Sequence, residues 1–464
     1  MTTTFDPIGL TPIDHITAKV FLPYMLYFTS KNPQAAAQAL ENGITALIAK
    51  IPWLAGDVVI HTQPETRAFI HPPATSPREN PTLTVKHFDN DADFRTHPTK
   101  AYLPIPLFVP ASQPRPVLRF QANLFPTKVA LVMSFNHMVF DGSGAATVLQ
   151  ALSECCRESD PASMPVTQTI ARDAIALRHE VSTWPSKCLE RLDHSLELGP
   201  PLFDSNISIE QWGAMESSIA SVSETRRVRF SAEKVARLKA VCTSLSRPGS
   251  HRESASESSP FSSNDLITAA LGLAIDRTMR PSRTPIDAQP HIFMVADLRR
   301  RITPPLPDTY VGNMIYPIWR PIPIQDMNPA RADSDLHALT TLAGSLRTAL
   351  TDSVNTALAY SVSATVAQDG DWFRCEGKPA DVVMTSWRHL KVFSLDFGPA
   401  LGYIEDFESG FVMMPGACIV LPERRRETKS ESGKLDWEVS VTLRPGDWEG
   451  FWVDPFIQRI SADM

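Results

Sequence analysis

The sequence predicts an α+β protein of two domains. A chain of 464 residues exceeds the size at which one hydrophobic core stops growing, about 250 to 300 residues, so two domains of roughly 200 residues each are expected. Apolar residues make up 43% and charged residues 20% of the chain, close to the composition of folded proteins, which argues against disorder. Segments with helical periodicity and segments with strand alternation both occur along the chain.

The first half of the chain predicts a helix, two strands and a second helix. Asn32 and Pro33 provide a cap and a first-turn proline, and residues 32–49 then place apolar side chains on one face. Residues 118–124 alternate apolar and polar side chains, and the apolar run 129–135 follows after a turn. This pattern indicates a half-buried strand followed by a fully buried one. A helix is then expected from about 143 to 153.

The second half begins after an irregular stretch. Residues 157–225 show no clear periodicity, which indicates a crossover between domains. The second domain is expected to open with a short strand at Val228 and Phe230 and a helix capped by Ser231. The rest of the α+β pattern consists of a helix beginning near Asp265, strands at 291–298 and 435–443, and a helix at 335–350.

Charge, apolar runs and cysteine spacing exclude several classes of protein. A net charge of -7 offers no basic face for nucleic acid. The first residues contain neither the basic stretch nor the apolar stretch of a secretory signal peptide. No run reaches the ~18 apolar residues of a membrane span. The six cysteines have no zinc-type spacing and are expected to be unpaired thiols. We therefore expect a cytoplasmic protein without a metal, a membrane span or a nucleic-acid partner.

The segment SFNHMVFDG, residues 134–142, carries the strongest chemical signal. It places His137 at the end of the buried strand, with Asp141 and Gly142 in the turn that follows. From the composition of this chain, the pattern H-x-x-x-D-G is expected by chance only about 0.03 times. His137 is alternatively a satisfied core histidine or half of a metal pair with Asp141, although no third ligand with suitable spacing is evident.

The motifs resemble those of the BAHD acyltransferases, most closely of the fungal, trichothecene O-acetyltransferase-like type. They are HMVFDG at 137–142, DFGPALG at 396–402, VVMTSW at 382–387, DLRRR at 297–301 and LTPIDH around Asp14. DFGPALG departs from the D-F-G-W-G element of the family, because Pro399 and Ala400 replace tryptophan and glycine. The resemblance implies the CoA-dependent acyltransferase fold, with two similar domains of mixed β-sheet flanked by helices and a tunnel at their interface.

The resemblance also implies domain boundaries. An N-terminal domain carrying H-x-x-x-D-G is expected over residues 1–200, taking in about 399–425 as well, and a crossover linker over 201–225. A C-terminal domain is expected over 226–464. The serine-rich stretch 246–263 within it contains almost no apolar residues and is expected to be a mobile loop.

The resemblance assigns roles to individual residues. His137 would be the general base and Thr385 an oxyanion donor, with Trp387 shaping the site. Asp141 would pair with Arg299 or Arg301 and so hold the His137 loop. The remaining expected positions are structural support from Gly142, Asp396 and Gly398, CoA contacts from Lys239, Ser262, Ser263 and Ser386, and acceptor-pocket walls from Phe21 and Tyr24.

The function expected from the resemblance is CoA-dependent O-acylation. The acyl group, expected to be acetyl, would pass directly from acyl-CoA to a hydroxyl of a small specialised metabolite within a ternary complex. Acyl-CoA would be a co-substrate, no cofactor would be permanently bound, and the protein would be a monomer. Two alternatives stay open, a condensation-type enzyme that uses a carrier-protein-bound donor and a catalytically inactive, ligand-binding homologue.

Overall fold

The computed structural model describes residues 4–74, 81–91, 94, 99–110, 113–157, 164–188, 198–199, 207–246, 260–282, 288–324, 332–410, 413–424 and 435–462. The helices are α1 (Pro33–Lys50), α2 (Gly142–Arg157), α3 (Pro165–Ser182), α4 (Ile209–Val222), α5 (Ala232–Leu245), α6 (Ser263–Met279), α7 (Ala332–Thr348), α8 (Thr356–Gln368), α9 (Trp448–Val453) and α10 (Pro455–Ile460).

The strands of the first half are β1 (Ile8–Gly9), β2 (Phe21–Thr29), β3 (Asp57–His61), β4 (Arg67–His71), β5 (Leu83–His87), β6 (Arg115–Pro116), β7 (Leu118–Leu124), β8 (Lys128–Asn136) and β9 (Leu198–Gly199). Those of the second half are β10 (Glu224–Phe230), β11 (His291–Asp297), β12 (Ile315–Pro321), β13 (Glu376–Gly377), β14 (Val382–Ser386), β15 (Asp406–Glu408), β16 (Ala417–Val420) and β17 (Trp437–Leu443).

The apolar run predicted as a buried strand is β8, at the centre of a five-stranded sheet. The strand order of this sheet is β15-β2-β8-β7-β5, and β2 and β7 both pair antiparallel with β8. Asn32 caps α1 as expected, with its side chain accepting the backbone N–H of Ala35. Helices α1 and α2 contribute Leu40 and Leu149 to the core that covers this sheet.

A second sheet of six strands forms the other half of the molecule. Its order is β10-β17-β16-β14-β11-β12, with β11, β14 and β16 mutually parallel and the remaining pairs antiparallel. Helix α6 is buried along most of its length against this sheet. Two mixed sheets with separate helix-covered cores confirm the predicted two-domain α+β architecture.

Three expectations about chain organisation need correction. The 157–225 stretch is not irregular, because it contains α3 and α4. The N-terminal excursion predicted at 399–425 reaches too far: β15 joins the first sheet, but β16 lies inside the second. The predicted linker 201–225 likewise overlaps β10, which pairs with β17 in the second sheet.

The predicted mobile loop at 246–263 lies largely outside the described residues. Its described end includes Phe261, whose side chain is buried in the second core, and the start of α6. Within the described part of the chain, no helix is both long enough and apolar enough to cross a membrane.

Candidate active site

His137 follows directly after the last residue of β8, where the chain turns toward α2. Its backbone N–H donates to the carbonyl of Val20 at 3.0 Å. Its Nδ1 lies 3.0 Å from the carbonyl oxygen of Phe140, which can only accept. Nδ1 therefore carries the proton of the neutral ring, and Nε2 keeps its lone pair. The half-buried imidazole thus presents a basic nitrogen on the side away from the turn.

The protonation of His137 is biased toward the neutral form. Burial lowers the pKa of the ring below its ordinary value, and this effect outweighs the upward influences of the Phe140 carbonyl and the Asp141 carboxylate. The charge of Lys19 lowers the pKa further. An imidazole that is neutral near pH 7 can accept a proton, which is the requirement for a general base.

Asp141 forms a buried ion pair with Arg299, which lies in the second half of the chain. Arg299 binds it through two hydrogen bonds, Nη1 to Oδ2 at 2.8 Å and Nη2 to Oδ1 at 2.9 Å. The backbone N–H groups of Gly144 and Met314 donate to the same carboxylate at 2.8 and 2.9 Å. Burial alone would raise the pKa of Asp141, but Arg299 and these donors hold it below its usual value.

The structure decides between the two arginines proposed as partners of Asp141. Arg299 is 2% exposed, and its remaining donors reach the carbonyls of Gly312 and Tyr310. Arg301 instead donates to the carbonyl of Leu350 at 2.8 Å. The expectation that Arg301 supports the His137 loop is therefore wrong, because its side chain is directed at the end of another helix.

A second buried ion pair holds the backbone of the same loop. Asp14 accepts from Arg178 Nη1 at 2.6 Å, and Arg178 Nη2 donates to the carbonyl of Val139 at 2.5 Å. Asn313 donates through Nδ2 to Asp14 Oδ1 at 3.0 Å and to the carbonyl of His137 at 2.9 Å. The loop backbone is thus fixed on both sides of the imidazole.

Thr385 and Ser386 end β14, and Trp387 follows at its tip. Both hydroxyl residues are half-buried, and the Thr385 hydroxyl has no hydrogen-bond partner among the described residues. Trp387 is packed beside the start of α2: a methyl group added at Gly142 would lie 2.8 Å from the indole Nε1 and 3.0 Å from the Tyr24 hydroxyl oxygen. Glycine is therefore required at position 142 for this close approach.

The two residues expected to line an acceptor pocket are both in the core. Tyr24 has no exposed surface, and its hydroxyl donates to the carbonyl of Gly142 at 2.9 Å. Tyr24 therefore supports the turn at Gly142, and its contact with an acceptor stays a prediction. Phe21 is 2% exposed and lies opposite Asn136 in the register of β2 with β8. Its contact with an acceptor stays a prediction.

The DFGPALG element forms a tight turn that packs against the last residue of α2. Asp396 accepts the backbone N–H of Gly398 at 2.9 Å, and Gly398 has a φ of 84°, a left-handed value that favours glycine. A methyl group at Gly398 would lie 3.2 Å from the Cα of Arg157, the last residue of α2. His137 precedes the other end of this helix of 16 residues, about 24 Å away along its axis.

The predicted CoA contacts are scattered over the second domain. Ser262 caps α6, and its hydroxyl is engaged by Asp265 in a capping box, as the spacing of the two residues predicted. Ser263 is the first residue of α6, and Lys239 is a half-buried residue of α5. Contacts of these side chains and of Ser386 with CoA stay predictions.

Sequence reasoning missed Arg178 and did not assign a role to Asn313. Arg178 lies on the buried face of α3, where Ile170, Ala174 and Val181 recur at helical spacing that could have revealed the helix. A further histidine, His389, places Nε2 at 3.0 Å from the hydroxyl oxygen of Ser143 at the start of α2. No local pattern indicates this contact, which joins positions far apart in the chain.

No cluster of side chains in the described part of the chain is suited to hold a metal ion. No disulfide links the six cysteines within the described part of the chain, and four of the cysteines are buried. The groups around His137 offer acid–base chemistry and hydrogen bonding. Nε2 of the imidazole is basic, and β14, which carries the Thr385 and Ser386 hydroxyls, is followed by Trp387 beside the start of α2.

Comparison with known proteins identifies the relatives of this chain. The model of a family described as "Transferase family" matches residues 101–452. The communesin N16 acyltransferase of Penicillium expansum is 30% identical, with 98% of this chain and 97% of that protein covered. The fumigaclavine B O-acetyltransferase of Penicillium roqueforti is 29% identical, with 100% and 99% covered.

Solved structures show the same fold. The F. sporotrichioides TRI101 structure, complexed with coenzyme A and T-2, superposes with a TM-score of 0.73 at 18% identity and covers 98% of this chain and 99% of that chain. Vinorine synthase gives a TM-score of 0.63 at 16% identity, with 99% and 95% covered. Together with the sequence matches, these results show that the chain belongs to the Transferase family, the BAHD-type acyltransferases that its motifs indicated.

Proposed function

We propose that this protein is a CoA-dependent O-acyltransferase that transfers an acyl group, most simply acetyl, to a hydroxyl of a small specialised metabolite. The observation that carries the proposal is the fixed tautomer of His137, whose protonated Nδ1 bonds to Phe140 and leaves Nε2 basic. Fungal relatives along the full length of the chain are named as O-acetyltransferases, which supports the same reaction class.

In the proposed reaction, His137 Nε2 takes the proton of the acceptor hydroxyl as its oxygen attacks the thioester carbonyl. An alcohol is a poor nucleophile at neutral pH, and such a base typically contributes about 10² to 10⁴ in rate. Attack forms a C–O bond and a tetrahedral oxyanion. The Thr385 hydroxyl, which has no partner among the described residues, is the proposed donor to that oxygen.

Collapse of this intermediate breaks the C–S bond. The CoA thiolate leaves and recovers the proton from the imidazolium, so the reaction needs no acyl-enzyme and no cofactor other than the acyl-CoA substrate. A tunnel between the domains would let donor and acceptor reach His137 from opposite faces. The tunnel, the CoA contacts at Lys239, Ser262, Ser263 and Ser386, the monomeric state and the cytoplasmic location stay predictions.

N-acylation is a second candidate. It is favoured by one specific observation, the 30% identity to a protein named as an N16 acyltransferase. A neutral amine attacks a thioester through the same steps and also loses a proton to a base, so His137 would serve either reaction.

The test is release of free CoA thiol from acetyl-CoA in the presence of hydroxylated and amine-bearing fungal metabolites, with products identified by mass spectrometry. We expect acetylated hydroxyl products with the wild-type chain, formed at least about 10²-fold more slowly with His137→Ala. A carrier-protein-bound donor used in place of free acetyl-CoA would favour the condensation-type alternative. Thiol release that is equal in wild type and His137→Ala would refute the proposed base.

A further inference from the structure

Arg115 is a buried cation without a carboxylate partner. Five arginines are buried in the described part of the chain, and Arg115 is among them at 4% exposure. The four others each have a carboxylate oxygen within reach: Arg119 with Asp57 at 3.8 Å, Arg178 with Asp14 at 2.6 Å, Arg277 with Asp454 at 2.7 Å and Arg299 with Asp141 at 2.8 Å. Among the described residues, Arg115 has no ion pair, and its Nε and Nη2 have no hydrogen-bond partner.

The strand register places Arg115 on an apolar face. In the four-stranded sheet β1-β4-β3-β6, Ile8 lies opposite Ile70, Ile70 opposite Val58, and Val58 opposite Arg115. Directly paired residues of antiparallel strands share a face, so the guanidinium ends a row of buried aliphatic side chains. The guanidinium carbon lies 5.9 Å from the ring centroid of Phe373, at the outer limit of a cation–π contact.

The two cations near Arg115, Lys19 and Arg67, each have a glutamate partner, whereas Arg115 has none among the described residues. Lys19, Arg67 and Arg115 all lie within electrostatic range of the buried His15 ring. Glu376 is 3.6 Å from Lys19, and Glu65 is 3.2 Å from Arg67. An unpaired charge in such surroundings is costly, since burial removes most of its hydration and no carboxylate among the described residues compensates for this loss. A ligand that brings a negative charge would remove this cost.

Arg115 is also close to the candidate base along the backbone. The carbonyl of Val117, two residues after Arg115, accepts the backbone N–H of Asn136, and His137 is the next residue. Lys19 extends the electrostatic link, because its charge acts on both His15 and His137. The guanidinium thus lies in the same region of the first domain as the end of β8.

We infer that Arg115 is an anion-binding residue for the acceptor substrate, which would carry a carboxylate or a similar monoanionic oxygen group. The inference rests on the proposed acyl transfer, in which His137 marks where the acceptor reacts. A planar guanidinium matches a carboxylate in shape and charge. The phosphates of CoA fit less well, because a dianion would leave net negative charge beside a single buried cation.

The test compares Arg115→Met with a matched control, Arg119→Met, in the full-length chain. Methionine keeps an unbranched side chain of related length without the charge. We expect the thermal midpoint of Arg115→Met to equal or exceed that of wild type, because an unpaired charge has been removed. Arg119→Met should lower the midpoint, because it leaves Asp57 without its cation. A drop for Arg115→Met as large as the control's would overturn the inference.

Ligand binding is measured with benzoate, and benzamide serves as the neutral control of the same shape, at constant ionic strength. Benzoate should raise the midpoint of wild type and bind at least about tenfold more weakly to Arg115→Met, while benzamide should not distinguish the two. Equal responses to benzoate in both proteins, or no response in either, would overturn the inference.

CoA is titrated into both proteins as a third measurement. Equal CoA affinities are expected, and weaker CoA binding by Arg115→Met would assign the anion to CoA and overturn the acceptor assignment. None of these measurements requires turnover. Failure of the anion site therefore leaves the acyl-transfer proposal standing, and failure of acyl transfer is detected separately by thiol release.

Discussion

Removing the Asp141 carboxylate tests whether this residue supports the site without taking part in the chemistry. In Asp141→Ala, Arg299 stays buried and loses two hydrogen bonds, and the backbone N–H groups of Gly144 and Met314 lose their acceptor. Breaking a buried ion pair by removing one partner typically costs about 3 to 5 kcal/mol. For a domain of roughly 200 residues this corresponds to a fall of about 6 to 20 °C in the thermal midpoint.

Asp297 provides the matched control, because it contacts the same arginine. Its Oδ1 lies 3.3 Å from Arg299 Nη1, but its side chain is 39% exposed. Asp297→Ala should therefore cost no more than about 1 kcal/mol. Thermal midpoints and turnover are measured for both variants. Equal midpoint shifts would contradict the buried-pair argument. Loss of rate in Asp141→Ala with an unmoved midpoint would show that Asp141 acts in the chemistry.

Four further predictions concern the base, the oxyanion donor and acid stability. His137→Ala should lower turnover by at least about 10²-fold while leaving the midpoint and CoA affinity near wild type, measured by thiol release and calorimetry. Because burial lowers the pKa of His137, kcat/KM should stay constant as the pH falls from about 7 to below the ordinary histidine pKa of about 6.5. It should decrease only when the pH reaches the lowered pKa of this ring. A decrease that begins above pH ~6.5 would contradict the assignment of His137 as the base. Thr385→Val should cost about 2.7 to 4 kcal/mol in transition-state stabilisation with unchanged CoA binding, so wild-type turnover in this variant would exclude the role. Burial lowers the pKa of His15 to about 3, so on acidification the unfolded chain protonates this ring before the folded chain does. The contribution of neutral His15 to the free energy of unfolding is therefore complete above pH ~6.5 and is lost as the pH falls toward 3. In urea unfolding, His15→Gln should lose less stability than wild type over that pH range.

Local sequence patterns predicted the elements whose buried face is continuous. Helix α1 and strands β7 and β8 follow their periodicity to within a residue or two. Helix α3 was not predicted although Ile170, Ala174 and Val181 recur at helical spacing, because Thr167 and Arg178 interrupt the apolar pattern of its buried face. The pairing of the short edge strand β15 could not be predicted either, since its partner β2 lies almost four hundred residues earlier in the chain.

The candidate site divides in the same way. H-x-x-x-D-G marks His137 and Asp141 because both lie in one short segment with a characteristic spacing. The residues that hold this segment come from elsewhere: Asn313 is 176 residues from His137, and Arg178 is 164 residues from Asp14. Such contacts depend on how the two sheets pack and leave no local periodicity.

The support of the His137 loop and its reactivity reside in different groups. Arg178 and Asn313 bind the carbonyls of Val139 and His137, so they fix the backbone without touching the imidazole. Among the described residues, the imidazole makes a single hydrogen bond, through Nδ1. Well-packed apolar side chains can contribute as much to the free energy of unfolding as a buried ion pair does. Stability alone therefore does not explain why two buried ion pairs, Asp141 with Arg299 and Asp14 with Arg178, hold one loop. We therefore infer that they set the position of Nε2: a directional network permits one loop geometry, whereas an apolar contact would permit several, and transfer of a proton to Nε2 requires that geometry.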